Sequence, residues 1–204
     1  MLTSYKPITL IIKRSIVLLA LFLSACASFD QTNIKPGQRV DGFTFSFEVP
    51  TETPWFAVVY GTSHRLKLSQ LNQDDSYSIL VTLTRGPRSG MYSSANAHLQ
   101  ALKRHLQLER QPKGLVLHHQ AQAIDTRYGE LCIRQTSNSE DWRGRAKPGP
   151  ALIDSITLTC PHPGFANVLI STTLSRRYET HAATLELTNY ADQLFASFEF
   201  EPDY

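Results

Sequence analysis

Phe43, Phe45, Phe47 and Val49 alternate with polar neighbours. That is the period of a strand with one buried face. Pro50 and Pro54 bracket a turn, and residues 55–60 and 65–71 are further strand segments joined across Gly61-Thr62-Ser63. Tyr77, Ile79, Val81 and Leu83 alternate again, and residues 85–90, with Gly86-Pro87 and Ser89-Gly90, read as a loop. The period then changes. Ala95, Leu99, Leu102 and Leu106 recur at helical spacing, with Ser93 or Ser94 placed to cap the start and Pro112 and Gly114 to end it. Four more strands are predicted at 115–124, 128–136, 153–160 and 167–174. Leu187, Tyr190, Ala191, Leu194, Phe195 and Phe198 make one helical stripe, and Phe198 and Phe200 close the pattern as a short strand.

Four strands, a helix, four strands and a helix, with connections of hairpin length, predict an α+β fold: an antiparallel sheet flanked by helices. One domain over 43–204 is long enough to bury a real core. The opening Phe43-x-Phe45-x-Phe47-x-Val49-Pro50, followed by Trp55, resembles the PsbP-like family. So does the close, in which a helix through Tyr190-Ala191-Asp192-Gln193-Leu194-Phe195 runs into Ser197-Phe198-Glu199-Phe200. That family comprises photosystem accessory proteins, relatives in nuclear import and many bacterial lipoproteins. The resemblance implies an antiparallel sheet flanked by helices and a role in binding or assembly. It offers no shared catalytic residues to carry over.

Ahead of the patterned region, Lys13-Arg14 precedes an apolar run from Ser15 to Ala25. Basic residues, a short apolar core and small residues are the parts of a secretory signal. The run is too short for a bilayer span, which needs roughly 20 apolar residues. Leu23-Ser24-Ala25-Cys26 resembles the lipobox of bacterial lipoproteins. The resemblance implies a signal peptide over 1–25, lipidation of Cys26 as the mature N-terminus, and a lipidated tether over 26–42, polar and weakly patterned around Pro36-Gly37. Position 27 is Ala, not the Asp that retains Gram-negative lipoproteins at the inner membrane, so the expected address is the periplasmic face of the outer membrane. Three acyl chains would anchor the protein firmly. The partners expected are the membrane, through that lipid, and an envelope protein.

Charge changes meaning once the signal is removed. The formal charge of +2 includes Lys6, Lys13 and Arg14; without them 17 cations face 18 carboxylates, a net −1. The apparent basicity belongs to the export signal, which removes support for a nucleic-acid partner.

Cys132 and Cys160 remain after Cys26. In an oxidising compartment an even pair favours a disulfide. Direct pairing would centre their hairpin on residue 146, inside the Gly- and Pro-rich run 143–150. Alternation opposes the bridge: Leu131 and Ile133 share one face, so Cys132 points to the other, while Cys160 shares a face with Ile156 and Leu158. A bulge, or a sheet covered on both sides, removes the conflict.

The motifs that suggest chemistry are weak. Gly61-Thr62-Ser63-His64-Arg65 begins like a nucleophile elbow but has Arg65 where the last Gly belongs, and a tight turn fits better. His98 and His105 share a helix face about 10.5 Å apart, too far for one ion, and His118-His119 point to opposite faces of a strand. Cys160-Pro161-His162 has no completing pair. No metal or other cofactor is therefore expected. Glu140-Asp141 has nothing that places it in a cleft. The best binding candidate is the loop carrying Trp142, Arg143, Arg145 and Lys147, since Trp and Arg dominate binding hot spots; a second basic loop lies at Arg85 and Arg88. The favoured expectation is a non-catalytic binding or assembly module of the cell envelope. The alternative is a small-molecule carrier or envelope enzyme that uses a cavity between sheet and helix. A deep apolar pocket favours the second, and an exposed patch over a filled core favours the first.

Overall fold

The alternation read along the chain becomes one large antiparallel sheet. The structure, a computed structural model, describes residues 33–42, 44–50, 55–59, 65–71, 75–86, 92–108, 112–143, 149–165, 167–179 and 184–200. The chain divides into two units, Met1–Gln31 and Thr32–Tyr204, and every described residue lies in the second. The signal segment and Cys26 therefore lie outside the described residues, as do 61–64, 87–90, Arg145 and Lys147.

The described strands are β1 (Asn33–Ile34), β2 (Arg39–Asp41), β3 (Phe45–Glu48), β4 (Trp55–Val59), β5 (Arg65–Leu71), β6 (Asp75–Arg85), β7 (Leu115–Ile124), β8 (Ile133–Asp141), β9 (Ala151–Pro161), β10 (Val168–Tyr178) and β11 (Glu199–Phe200). Two helices, α1 (Ala95–Leu108) and α2 (Thr184–Ala196), stand where the helical stripes predicted them. The large sheet runs β1-β4-β5-β6-β10-β9-β8-β7, and a small one runs β11-β3-β2. Every pairing is antiparallel. This is the α+β architecture that element order implied.

Period-2 patterning decides which face is buried. Ile79 and Val81 of β6, Ile156 and Leu158 of β9, and Ile170 and Leu174 of β10 share a face and are buried. α2 lies against β9, β10 and β3. Its stripe of Leu187, Ala191, Leu194 and Phe195 is at most 3% exposed. Burying a Leu or Phe side chain stabilises by about 1.5–3 kcal/mol, so this seam accounts for much of the fold. β3 and β11 add a stack of rings on the same core, with Phe198 5.7 Å from Phe45 and 5.1 Å from Phe47.

On the opposite face the sheet carries hydroxyls in cross-strand pairs. Ser78 with Ser175 (2.7 Å), Ser137 with Ser155 (2.6 Å) and Thr157 with Thr173 (2.8 Å) bond directly. α1 packs on β7 and β8. Ile133, fully buried yet outside the main cluster, belongs to this second face. The sheet is thus covered on both sides at β8.

That double cover resolves the cysteine conflict. Cys132 and Cys160 form a disulfide, with Cα atoms 4.3 Å apart. Ile133 faces Thr159 and Asp141 faces Ala151, the register centred on residue 146. Cys132 lies on the α2 face with Cys160, while Ile133 points under α1.

Two expectations change. The stretch ahead of Phe43 is not wholly tether: β1 pairs with β4, β2 pairs with β3, and Ile34 is 4% exposed. Its pattern is invisible in sequence because each strand is only two or three residues long. The strand expected at 128–136 begins at Ile133, because Asp125 to Cys132 form a turn closed by Asp125 N–H on Cys132 C=O and Cys132 N–H on Gly129 C=O.

Candidate functional site

Two features of the described surface offer binding chemistry: a cleft at one end of the α2 face, and the margin formed by β7.

The cleft has a volume of about 720 Å³. The disulfide, Leu158 and Ile170 form its sheet side, and Phe195, Phe198 and Phe200 its helix side. The β7–β8 turn closes a third side with Arg127, Tyr128 and Glu130. Gly129 makes that turn possible. Its φ is +148°, and a Cβ there would lie 3.0 Å from the Cys132 sulfur.

A charge network fixes the turn to α2. Arg127 donates to both Asp125 oxygens (2.8 and 2.7 Å) and to Asp192 (3.1 Å). Arg134 donates to the other Asp192 oxygen at 2.5 Å, and Tyr128 OH reaches the same oxygen at 3.3 Å. The Arg127 guanidinium holds the Asp125 carboxyl below its usual range. Burial works to raise Asp192, but its bonds to Arg134 and Arg127 outweigh that and lower it. Burial, then Asp192, raises the Tyr128 phenol. Two cations face two carboxylates, so the network presents no free charge.

β7 forms one edge of the large sheet, with β8 as its partner. Edge strands usually carry Lys, Pro or other charges that discourage strand addition. Leu115–Ile124 reads LVLHHQAQAI, without Asp, Glu, Lys, Arg or Pro; its one irregularity is a bulge between Leu117 and His119. Val116 (44% exposed), Ile124 (36%) and Trp142 (54%) are the exposed large apolar residues among those described. All three lie on this margin, since Trp142 N–H donates to Gly114 C=O beside the start of β7.

Half of the loop nominated from sequence can be placed. Trp142 is exposed and donates from Nε1 to Glu140 at 3.2 Å. Arg143 is held by its own neighbour: Nε donates to Asp141 Oδ1 at 2.7 Å and the backbone N–H at 3.0 Å. The Arg143 bond is the main cause that holds the Asp141 carboxyl low. Trp142 is thus offered outward and Arg143 is internally paired. Among the described residues no group of His, Cys, Asp or Glu is placed to hold a metal ion. His118 contacts Glu140 at 3.1 Å, and His98 and His162 are buried. No described helix is long and apolar enough to cross a membrane.

Sequence reading offered a sheet–helix cavity only as the alternative, without naming its lining, and passed over the uncharged edge. The edge was legible in the composition of 115–124. The cleft was not, because it needs residues from β9, β10, α2, β11 and a turn mistaken for strand.

Neither a protein-family model nor a curated protein matches the chain. Among solved structures it is similar to the solution structure of cyanobacterial PsbP (CyanoP) from Synechocystis sp. PCC 6803. Identity is 14%, over 86% of this chain and 95% of that one, with a TM-score of 0.40.

Proposed function

We propose that this chain is a lipoprotein of the outer membrane, anchored through Cys26, whose periplasmic domain is a non-catalytic binding or assembly module of the cell envelope. The observation that carries the binding reading is the β7 margin. An open strand edge offers alternating N–H donors and C=O acceptors, which an extended polypeptide segment matches. The absence of charge along β7 leaves that edge unprotected, and Val116, Ile124 and Trp142 supply apolar contacts beside it. The partner is an extended segment of another envelope protein that adds as a ninth strand beside β7.

Site-specific photo-crosslinking in native membranes tests this. A photoreactive residue at Val116, Ile124 or Trp142 should capture one discrete protein, and the same residue at Ser175, on the hydroxyl face, should not. The paired change Ala121→Lys and Ala123→Lys should abolish the adduct without lowering the melting temperature. Equal capture from all positions, or adducts solely with a second copy of the chain, would refute the reading.

A further inference from the structure

We infer that the strand added beside β7 is acidic: an extended segment that alternates carboxylates with apolar side chains and is drawn by Lys103, Arg104 and Lys113. This partner rests on the β7 reading and adds to it the chemistry of the incoming strand.

The charge around β7 is one-sided. α1, which packs on β7, reads ANAHLQALKRHLQL and has no carboxylate. β7 has none either. Among the described residues from 92 to 143 the carboxylates are Asp125, Glu130, Glu140 and Asp141. Asp125 is engaged by Arg127, Asp141 by Arg143, and Glu140 by His118 and Trp142. Glu130 stands apart, in the turn that lines the cleft. Lys103 is half-buried and Arg104 and Lys113 are exposed, and among the described residues no ion pair is found for any of them. Lys113 lies two residues ahead of β7. Cations without counter-charges thus border a strand edge that carries no charge of its own to repel an incoming strand.

Register sets the period of the partner. Asp125 N–H donates to Cys132 C=O, toward β8. Successive N–H groups alternate sides, so Ala121 and Ala123 bond β8, while Gln120 and Gln122 present theirs to the open side. Paired residues share a sheet face. Ile124 faces Ile133, which points under α1, whereas Val116, Ala121 and Ala123 face Glu140, Thr136 and Arg134 on the other side of the sheet. A strand added here turns alternate side chains toward α1, where carboxylates meet Lys103 and Arg104. It turns the others toward Val116 and the two alanines, where apolar groups fit. An anionic membrane surface would match the cations but not the row of outward N–H groups.

Rhodamine-labelled octapeptides test this by fluorescence anisotropy, with the full chain purified in non-ionic detergent. One alternates Glu and Val, one Gln and Val, and one Lys and Val. In about 20 mM salt the Glu peptide should bind about fivefold more tightly than the Gln peptide, the range of a few exposed ion pairs, and the Lys peptide should bind most weakly. The preference should fade at about 300 mM salt, where exposed charges are screened. Lys103→Glu combined with Arg104→Glu should reverse the order. Gln122→Pro removes an outward N–H from an edge strand, a position that tolerates proline; it should abolish binding of all three peptides while the melting temperature holds. The Glu peptide with every amide N-methylated keeps its charge, loses its donors and should not bind. Equal affinity for the three peptides, blocked alike by Gln122→Pro, overturns the acidic partner and leaves the β7 edge standing. A Glu preference unchanged by the double charge reversal overturns the role of Lys103 and Arg104. Binding by no peptide, or by the N-methylated one as well as its parent, overturns the β7 reading and the acidic strand with it. Displacement of the Glu peptide by dihexanoylphosphatidylglycerol as readily as by its own unlabelled form assigns the cations to a lipid surface and overturns the strand partner.

Discussion

His162 is kept neutral by what its two ring nitrogens face. Gly164 N–H donates to Nδ1 at 3.1 Å, so Nε2 carries the proton and donates to Thr44 Oγ1 at 3.0 Å. Phe165 and Phe200 enclose the ring. His98 is constrained in the other sense: Nδ1–H donates to Leu131 C=O at 2.7 Å, and Nε2 is buried without a partner. Charging either ring would place a second N–H against a donor or into a dry pocket. Burial accordingly lowers both pKa values from the ordinary 6.5. The unfolded chain takes up these protons at a higher pH than the native one. The stability they confer is therefore fully present above about pH 6.5 and is lost as pH falls toward the lowered native values. The unfolding midpoint in urea should decline between about pH 7.5 and 5.5, and His98→Gln with His162→Gln should flatten that slope. A wild-type midpoint independent of pH over this interval would contradict the assignment. At this scale sequence alone was a poor guide. The histidine pattern gave no hint that His98 and His162 are buried, whereas the partnership of Cys132 and Cys160 was legible from hairpin arithmetic. Parity misled there because a residue like Ile133 can be buried on the far face once a helix covers it.

Among the elements, α2 shows what a clean hydrophobic period can specify. Leu187, Ala191, Leu194 and Phe195 were readable as a stripe, and all four are buried. Leu194 is fully buried against the sheet, while Gln193 beside it is exposed. Leu194→Ala should cost about 2–5 kcal/mol, because transfer energy and packing are lost together; Gln193→Ala should stay within about 0.5 kcal/mol. Equilibrium unfolding of the two variants separates them, and a near-neutral Leu194→Ala would mean that α2 is not seated on the sheet. β1 and β2 illustrate the opposite limit. Two or three residues show no period, and what holds them is pairing with strands beginning twenty-one and four residues further on in the register Ile34–Trp55 and Asp41–Ser46. Turn 125–132 was obscured for a related reason. Leu131, Cys132 and Ile133 look like strand, and Gly129 is the one residue there whose backbone demand, a positive φ, announces a turn.

For the whole molecule the proposed reading raises the question of what would hold it at a membrane. Strands, helices and the small sheet bury their apolar faces on one another, and no described helix has the length and apolarity of a span. Among the described residues the surface offers two modest features, an uncharged edge and a cleft, neither of them a broad apolar face. Membrane attachment on the proposed reading therefore falls to lipid on Cys26. Each buried methylene contributes about 0.8 kcal/mol and two anchoring signals hold a protein firmly, so several acyl chains suffice without help from the domain. Loss of the single sulfur should then convert a membrane protein into one that is released or left unprocessed. Cys26→Ser should shift the chain from the membrane fraction to the soluble fraction, or arrest it at the precursor mass. Ala27→Asp should keep it membrane-bound but move it from outer to inner membrane in sucrose-gradient fractionation, since aspartate at that position is the retention residue of the lipoproteins this N-terminus resembles. The two variants test separate links. Persistence of the Cys26→Ser protein at full maturity in the outer membrane would overturn lipidation itself. An unmoved Ala27→Asp protein would leave lipidation standing and overturn the sorting step, and with it the argument that Ala27 sets the address.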